Sequence, residues 1–339
     1  MSMTVLASDV GGTNTRLALY EKRGSALEPI RVETFASREH SSLSAIVERF
    51  LGAAPSVLDG ACFGVAGPVL DGRSSVTNLP WVVDAEELAL SLGLPSVTLV
   101  NDLELYAWAV AWLGNDDAVT LQEGAEVPGT VALIAAGTGL GCSALVRSGN
   151  RQMALGSEGG HADFAPNGAV EAGLLGYLRT RFGHVSAERV LSGPGLVRIY
   201  EYLRDSRRGV EPNWLADEMR EGDPAAVIAA AAIGGQAAIC EDAVRIFLGI
   251  YGAEAGNWAL RTLARGGLYL GGGIAAKLLC GPPGTPATWT AGARKVFLRA
   301  FGEKGRFRSW LESVPVRVIV NDRAALLGAA YLASTNLPA

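Results

Sequence analysis

Leu6 to Tyr20 reads LASDVGGTNTRLALY, two apolar, strand-like runs separated by a polar turn. The turn carries Asp9, Gly11, Gly12, Thr13 and Asn14. This pattern predicts a hairpin whose tip binds something. Paired glycines let the backbone approach a bulky ligand and offer N–H groups to it, while the Thr13 hydroxyl and Asn14 amide add donors. Such a tip suits phosphate. A hairpin turn without a ligand uses the same residue types, but a charged Asp9 at the end of an apolar strand favours a site.

The chain has 339 residues, 49% of them hydrophobic, enough for a substantial core and two domains. A formal net charge of -5 gives no broad attraction to nucleic acid or to an anionic membrane. The 4 cysteines, Cys62, Cys142, Cys240 and Cys280, are too dispersed for a metal knuckle and too few for a disulfide scaffold. A reducing, cytoplasmic setting is expected. No basic segment followed by an apolar stretch and a cleavage signal occurs near Met1, and the alanine-rich Ala225 to Ala238 is too short for a membrane span.

Outward from the hairpin, Glu28 to Ala36 predicts a third strand. Ser41 to Leu51 predicts a helix ended by Gly52 and Pro55. Gly60 to Val65 is a buried-strand candidate, and Asp84 is placed to cap a helix beginning at Ala85. Val97 to Val100 then leads through Asn101 and Asp102 into an apolar helix reaching Leu113. In open α/β folds the carboxyl ends of strands converge on a ligand crevice, so Asp102 is better placed for chemistry than an acid on an outer helical face. It also has the chemistry of an ordinary helix cap.

Val131 to Ala136, the glycine-rich turn Gly137 to Gly141 and the run Cys142 to Val146 repeat the opening device of strand, polar turn and strand. Two related α/β cores facing one cleft are therefore expected, with a domain boundary near Gly129: residues 1–129 as a smaller domain and 130–339 as a larger one. Val170 to Phe182, Gly195 to Leu203 and, with breaks, Ala225 to Leu263 are helical candidates. So are Ile274 to Leu279 and Ala287 to Ala300. Gly266 to Leu270 and Val316 to Val320 are strands, and the final helix, Ala324 to Leu332, is expected to pack back at the hinge.

Three glycine-rich exits, Asp9 to Asn14, Gly137 to Gly141 and Gly271 to Gly273, suit a ligand as long as a nucleoside triphosphate. None is a P-loop, and the opening turn is not the dinucleotide fingerprint. Each alone is equally a tight turn. Between them lie Asn101 and Asp102, the EGGH of Glu158 to His161, and Glu188, a mixture of donors and acceptors suited to a polyhydroxylated ligand such as a sugar. With 3 histidines, His40, His161 and His184, and no close Cys/His pair, no structural zinc is expected. Singly, His161 suits a packed residue, Glu188 a partner of Arg189 or Arg198, Glu158 a cap and Asn101 a turn residue.

DVGGTNTR at Asp9 to Arg16, LVND ending at Asp102, AAGTGLG, GSEGGH and LSGPG together resemble the bacterial glucokinase family, within the sugar-kinase and actin-like ATPase group. The resemblance spans nearly the whole chain. It implies an α/β, two-domain, ribonuclease H-like fold of the hexokinase type, with a central interdomain cleft that closes on sugar and ATP. It implies sugar contacts from Asn101, Asp102, Glu158, His161 and Glu188, with Asp102 as catalytic base. Asp9, Gly11, Gly12, Thr13 and Asn14 match a first phosphate and Mg²⁺ region, with Asp9 reaching the ion through water. Gly137, Thr138 and Gly139 match a second phosphate turn, and Gly271, Gly272 and Gly273 a turn on the nucleotide side. A homodimer is likewise implied.

The implied reaction moves the γ-phosphoryl group of ATP to the 6-hydroxyl of D-glucose, with Asp102 accepting the hydroxyl proton. The partners expected are glucose and Mg-ATP, with no nucleic acid and no membrane. A related hexose such as mannose is an alternative acceptor. A non-catalytic, sugar-responsive regulator is a second alternative, which the intact Asp102 and the lack of a DNA-binding extension disfavour.

Overall fold

The computed structural model describes residues 3–24, 26–52, 57–125, 127–149 and 151–335; Pro55, expected to end the first helix, lies outside them. In chain order the first elements are β1 (Met3–Val10), β2 (Asn14–Arg23), β3 (Ala26–Ala36), α1 (Leu43–Leu51) and β4 (Gly60–Val65). The short strands β5 (Arg73–Ser75) and β6 (Val82–Asp84), then α2 (Ala85–Leu92), β7 (Thr98–Asn101) and α3 (Asp102–Ala109), follow. Next come β8 (Ala118–Gln122), β9 (Val131–Ala136), β10 (Leu140–Ser148), β11 (Arg151–Ser157), α4 (Ala169–Arg179) and α5 (Gly193–Asp205). After them lie α6 (Asn213–Glu221), α7 (Pro224–Ile233), α8 (Ala238–Thr262), β12 (Gly267–Gly271) and the single turn α9 (Gly273–Ala275). The chain continues through α10 (Ala287–Gly302), α11 (Arg308–Glu312), β13 (Val316–Ile319) and α12 (Ala324–Thr335).

These elements form two mixed α/β units, one of residues 1–117 with 321–339 and the other of residues 118–320. The boundary expected near Gly129 is thus displaced. Ala118 to Gln122, read as part of the first domain, pairs antiparallel with β13 and so belongs to the second. The chain also returns: α12 packs on β1, β4 and α3 of the first unit, more than two hundred residues from each of them in sequence.

The first unit is built on a sheet of order β3-β2-β1-β4-β7, and the second repeats that plan as β11-β10-β9-β12-β13 with β8 added at the edge. In both, an antiparallel meander of three strands precedes strands parallel to its first member. The period of two in β1 sets both faces of its sheet. Leu6 and Val10 point into a cluster with Ile46 and Phe50 of α1, while Val5 and Ala7 meet Leu105 of α3 and Leu326, Ala329 and Ala330 of α12. Burial on both faces explains why the central strands are apolar almost throughout. In the second unit Ala132, Ile134 and Ala136 of β9 pack on Tyr251 and Trp258 of α8, and Trp258 Nε1 donates to the Ser143 carbonyl at 2.9 Å.

β8, β11 and α6 did not register in the sequence pattern. β11 is an edge strand whose Met153 and Leu155 stay exposed, and α6 buries only Leu215. β11 therefore lacks the apolar-in, polar-out alternation that marks a half-buried strand. No single helix among the described residues is long and apolar enough to cross a membrane. The pair Pro224–Ile233 and Ala238–Thr262 is bent by 102° and contributes to the core of the second unit.

Candidate functional site

In the first unit, three parallel strands deliver their carboxyl ends to one edge. Val10 of β1 pairs in register with Val65 of β4, and Val65 with Asn101 of β7, so the Asp9 turn and the Asn101–Asp102 pair emerge side by side from the sheet. Asn101 caps α3, its Oδ1 accepting from the Leu103 N–H at 2.9 Å, while its Nδ2 donates to the Gly67 carbonyl at 3.1 Å. Those two bonds fix the strand-to-helix junction and hold Asp102 as the first residue of α3. The cap expected of Asp102 is thus made by Asn101, one residue earlier, because Asp102 already has helical backbone.

The turn at residues 11–14 is tied down from one side by Ser37. Its N–H donates to the Thr13 carbonyl at 2.9 Å, and its Oγ donates to the Gly11 carbonyl at 2.8 Å. Thr13 and Asn14 remain exposed, with donors available to a ligand. Asp9 is partly buried at the end of β1, and burial raises its pKa, an effect that Arg16 across the hairpin opposes. A carboxylate left short of solvation in this way gains from a nearby cation. No cluster of three or more His, Cys, Asp or Glu side chains able to hold a metal occurs among the described residues. One carboxylate beside a glycine-rich turn fits Mg²⁺, which keeps several waters and takes most of its remaining ligands from the phosphate oxygens of a substrate.

In the second unit, Glu158 and His161 face each other across the turn after β11, with Glu158 Oε2 3.7 Å from His161 Nε2 and both side chains exposed. A short turn at Ala187–Arg189 is hydrogen-bonded beside them, the Ala187 N–H donating to the Ala162 carbonyl at 2.8 Å. It carries Glu188. That side chain does not pair with Arg189 or Arg198 as a surface acid would; its Oε2 accepts from the Leu140 N–H at 3.0 Å.

The turn between β9 and β10 closes on itself through a Gly137 N–H to Gly139 carbonyl bond of 2.9 Å, and the Gly137 carbonyl accepts from Gly193 at the start of α5 at 2.8 Å. Gly137, Thr138 and Gly273 open onto a cavity of about 890 Å³. Its apolar walls include Phe182, Leu196, Ala226 and Ala229. Cations stand among them. Arg198 lies 5.1 Å from the centre of the Phe182 ring and donates to the Arg189 carbonyl at 3.0 Å, while burial, then the neighbouring Arg189, lowers its pKa. Lys277 lies in the π-helical turn Ala276–Cys280 and has no carboxylate partner among the described residues. Glu201 and Asp223 also line it, and a pocket with apolar walls, a glycine-rich turn at one end and cations in its lining suits a flat base carrying phosphates.

Residues 6–336 match the family model described as Glucokinase.

This chain belongs to the glucokinase family. It is 40% identical over 347 residues to a glucokinase of Nostoc sp., covering 97% of this chain and 98% of the relative. A glucokinase of Trichormus variabilis matches with the same identity and coverage. Among solved structures, the glucokinase from an Antarctic psychrotroph superposes with a TM-score of 0.82 at 28% identity, covering 98% of this chain and 99% of that one. The family carries the actin-like ATPase and hexokinase fold, and the two mixed α/β units described above conform to it.

Within the family frame, the structure supplies residues the sequence did not single out. Ser37 braces the first turn from the end of β3, and its only sequence signal is a small polar residue just after a strand. Phe182, Arg198, Ala226, Ala229 and Lys277 line the cavity. They belong to helices and turns dispersed from residue 182 to residue 277, so no spacing announces them.

Proposed function

We propose that the chain transfers the γ-phosphoryl group of ATP to the 6-hydroxyl of D-glucose, forming glucose 6-phosphate and ADP. One observation carries the reading: a carboxylate, Asp102, is fixed at the carboxyl edge of a parallel sheet beside a glycine-rich turn, in a chain matching the glucokinase family over residues 6–336. Asp102 acts as the base that orients the 6-hydroxyl and takes its proton as the bond to phosphorus forms. Asn101 anchors that position and contacts the sugar, while Glu158, His161 and Glu188 match the remaining hydroxyls. A sugar with an inverted or missing hydroxyl leaves one of these groups unpaired, which is a strong source of selection.

The nucleotide base and ribose fit the cavity of the second unit. Thr138 and Gly139, together with Gly12, Thr13 and Asn14, donate to phosphate oxygens, Gly137 and Gly11 close the two turns through their own N–H bonds, and Gly271 to Gly273 form the turn on the base side. Mg²⁺, when bound, neutralises charge developing on the phosphates, and Asp9 holds its water shell. The reading extends to a homodimer in the cytoplasm, which light scattering of the purified protein and fractionation of cells test respectively.

Assay of glucose, mannose and fructose against ATP, ADP and polyphosphate as donors tests the whole assignment. Glucose with Mg-ATP should give the highest kcat/KM. A folded protein that releases no ADP in response to glucose would reject the kinase reading, and a clear preference for mannose would reassign the acceptor.

A further inference from the structure

Leu140 sits where the sugar residues and the phosphate turn touch. Its N–H donates to Glu188 Oε2 at 3.0 Å, and it follows directly on Gly137, Thr138 and Gly139. Its carbonyl oxygen presses against Gly160 of the EGGH turn so closely that a Cβ there would stand 1.9 Å from it. Leu140 is therefore clamped between two segments that carry sugar ligands. Gly139 faces the same carboxylate: a Cβ at Gly139 would lie 2.5 Å from Glu188 Oε2 and 3.4 Å from its carboxyl carbon, with no other atom that near. The backbone at Gly139 is not in the left-handed region. The lack of a side chain there answers to Glu188 and not to local strain.

A second connection runs from the same residue. The Glu188 carbonyl accepts from Ser192 Oγ at 2.8 Å, and Ser192 Oγ in turn accepts from the Gly195 N–H at 3.0 Å and so caps α5. Gly193 of that helix donates to the Gly137 carbonyl, and Gly193 and Pro194 form part of the cavity wall. Glu188 is tied to the phosphate turn through its carboxylate and, by way of α5, through its backbone. Its other oxygen, Oε1, remains for a ligand.

We infer that Glu188 couples the two substrates within the second unit: sugar held by its free oxygen fixes the carboxylate that holds Leu140, and so sets the phosphate turn for the nucleotide. Linkage makes the effect reciprocal, so a nucleotide that orders the turn tightens the sugar by the same factor. Gly139 is then a positioning residue for the sugar, although it belongs to the phosphate turn. The inference rests on the functional reading given above, in which Glu188 contacts glucose.

Calorimetric titration of the full-length protein with glucose, with and without a saturating β,γ-imido analogue of ATP and Mg²⁺, tests it. In the wild type the analogue should tighten glucose binding by about five-fold or more. Gly139→Ala should weaken glucose binding about ten-fold with no nucleotide present and bring the coupling factor close to one, because the methyl displaces the carboxylate. Glu188→Gln, whose amide oxygen still accepts from Leu140, should weaken glucose binding yet keep the coupling. A melting curve close to that of the wild type establishes that Gly139→Ala is folded. Undiminished glucose binding by folded Gly139→Ala, or a coupling factor of one in the wild type, overturns the inference while the kinase reading stands. A wild type that binds no glucose overturns both.

Discussion

Gly328→Ala sets two opposing effects against each other on the helix that holds Asp102. Alanine in a helix interior is favoured over glycine by about 1 kcal/mol, so propensity alone predicts a more stable protein. Packing predicts the opposite. A Cβ at Gly328 of α12 would stand 1.9 Å from the Leu105 carbonyl oxygen, 2.8 Å from its carbon and 3.1 Å from the Ala109 nitrogen, all backbone atoms of α3 that cannot swing aside. Comfortable non-bonded contacts begin at about 3.5 Å, so the two helices must part by more than about 1 Å. Leu105, Ala325, Ala329 and Ala330 are fully buried along this contact, and overpacking of such a core costs about 1–3 kcal/mol. The clash outweighs the propensity gain by up to about 2 kcal/mol, and a fall in melting temperature of up to roughly 8 °C is expected.

Because Asp102 is the first residue of α3, the same displacement moves the proposed base. A shift of about 1 Å in a reacting group costs on the order of a hundred-fold in rate, so kcat should fall far more than glucose affinity. Thermal unfolding and steady-state kinetics of the purified variant measure both quantities. A Gly328→Ala protein that melts at or above the wild-type temperature with unchanged kcat would refute the claim that close contact between α12 and α3 positions Asp102.

Asp102→Asn keeps the shape of the side chain but removes the proton acceptor, and should lower kcat by about 10²–10⁴-fold while glucose affinity by calorimetry stays within a few-fold. Asp9→Asn should abolish most turnover yet raise the melting temperature of the ligand-free protein at neutral pH. The sign follows from burial, which raises the Asp9 pKa so that its ionised form disfavours folding above that pKa; a lower melting temperature for the variant would contradict it. Ala226→Trp should fill the cavity wall and raise the KM for ATP about ten-fold or more, leaving glucose binding without nucleotide unchanged. Equal weakening of both substrates would show that the cavity is not the nucleotide site.

The sequence by itself determined the parts that depend on neighbours along the chain. The run LASDVGGTNTRLALY specifies a hairpin because alternation and paired glycines act over a few residues, and Asp84 caps its helix because a cap reaches only two or three residues onward. The duplication of strand, turn and strand was visible for the same reason, as were the motifs that resemble the glucokinase family. Tertiary structure alone decided which distant pieces share a unit and a site. The Ala118–Gln122 strand joined the second unit by pairing with β13, α12 joined the first by covering Leu105 and β1, and Glu188 found its partner at Leu140, forty-eight positions away. Hydrogen bonds and close packing between distant segments leave no periodicity in either segment, so the cavity wall and the Glu188 contact had no local signature to read.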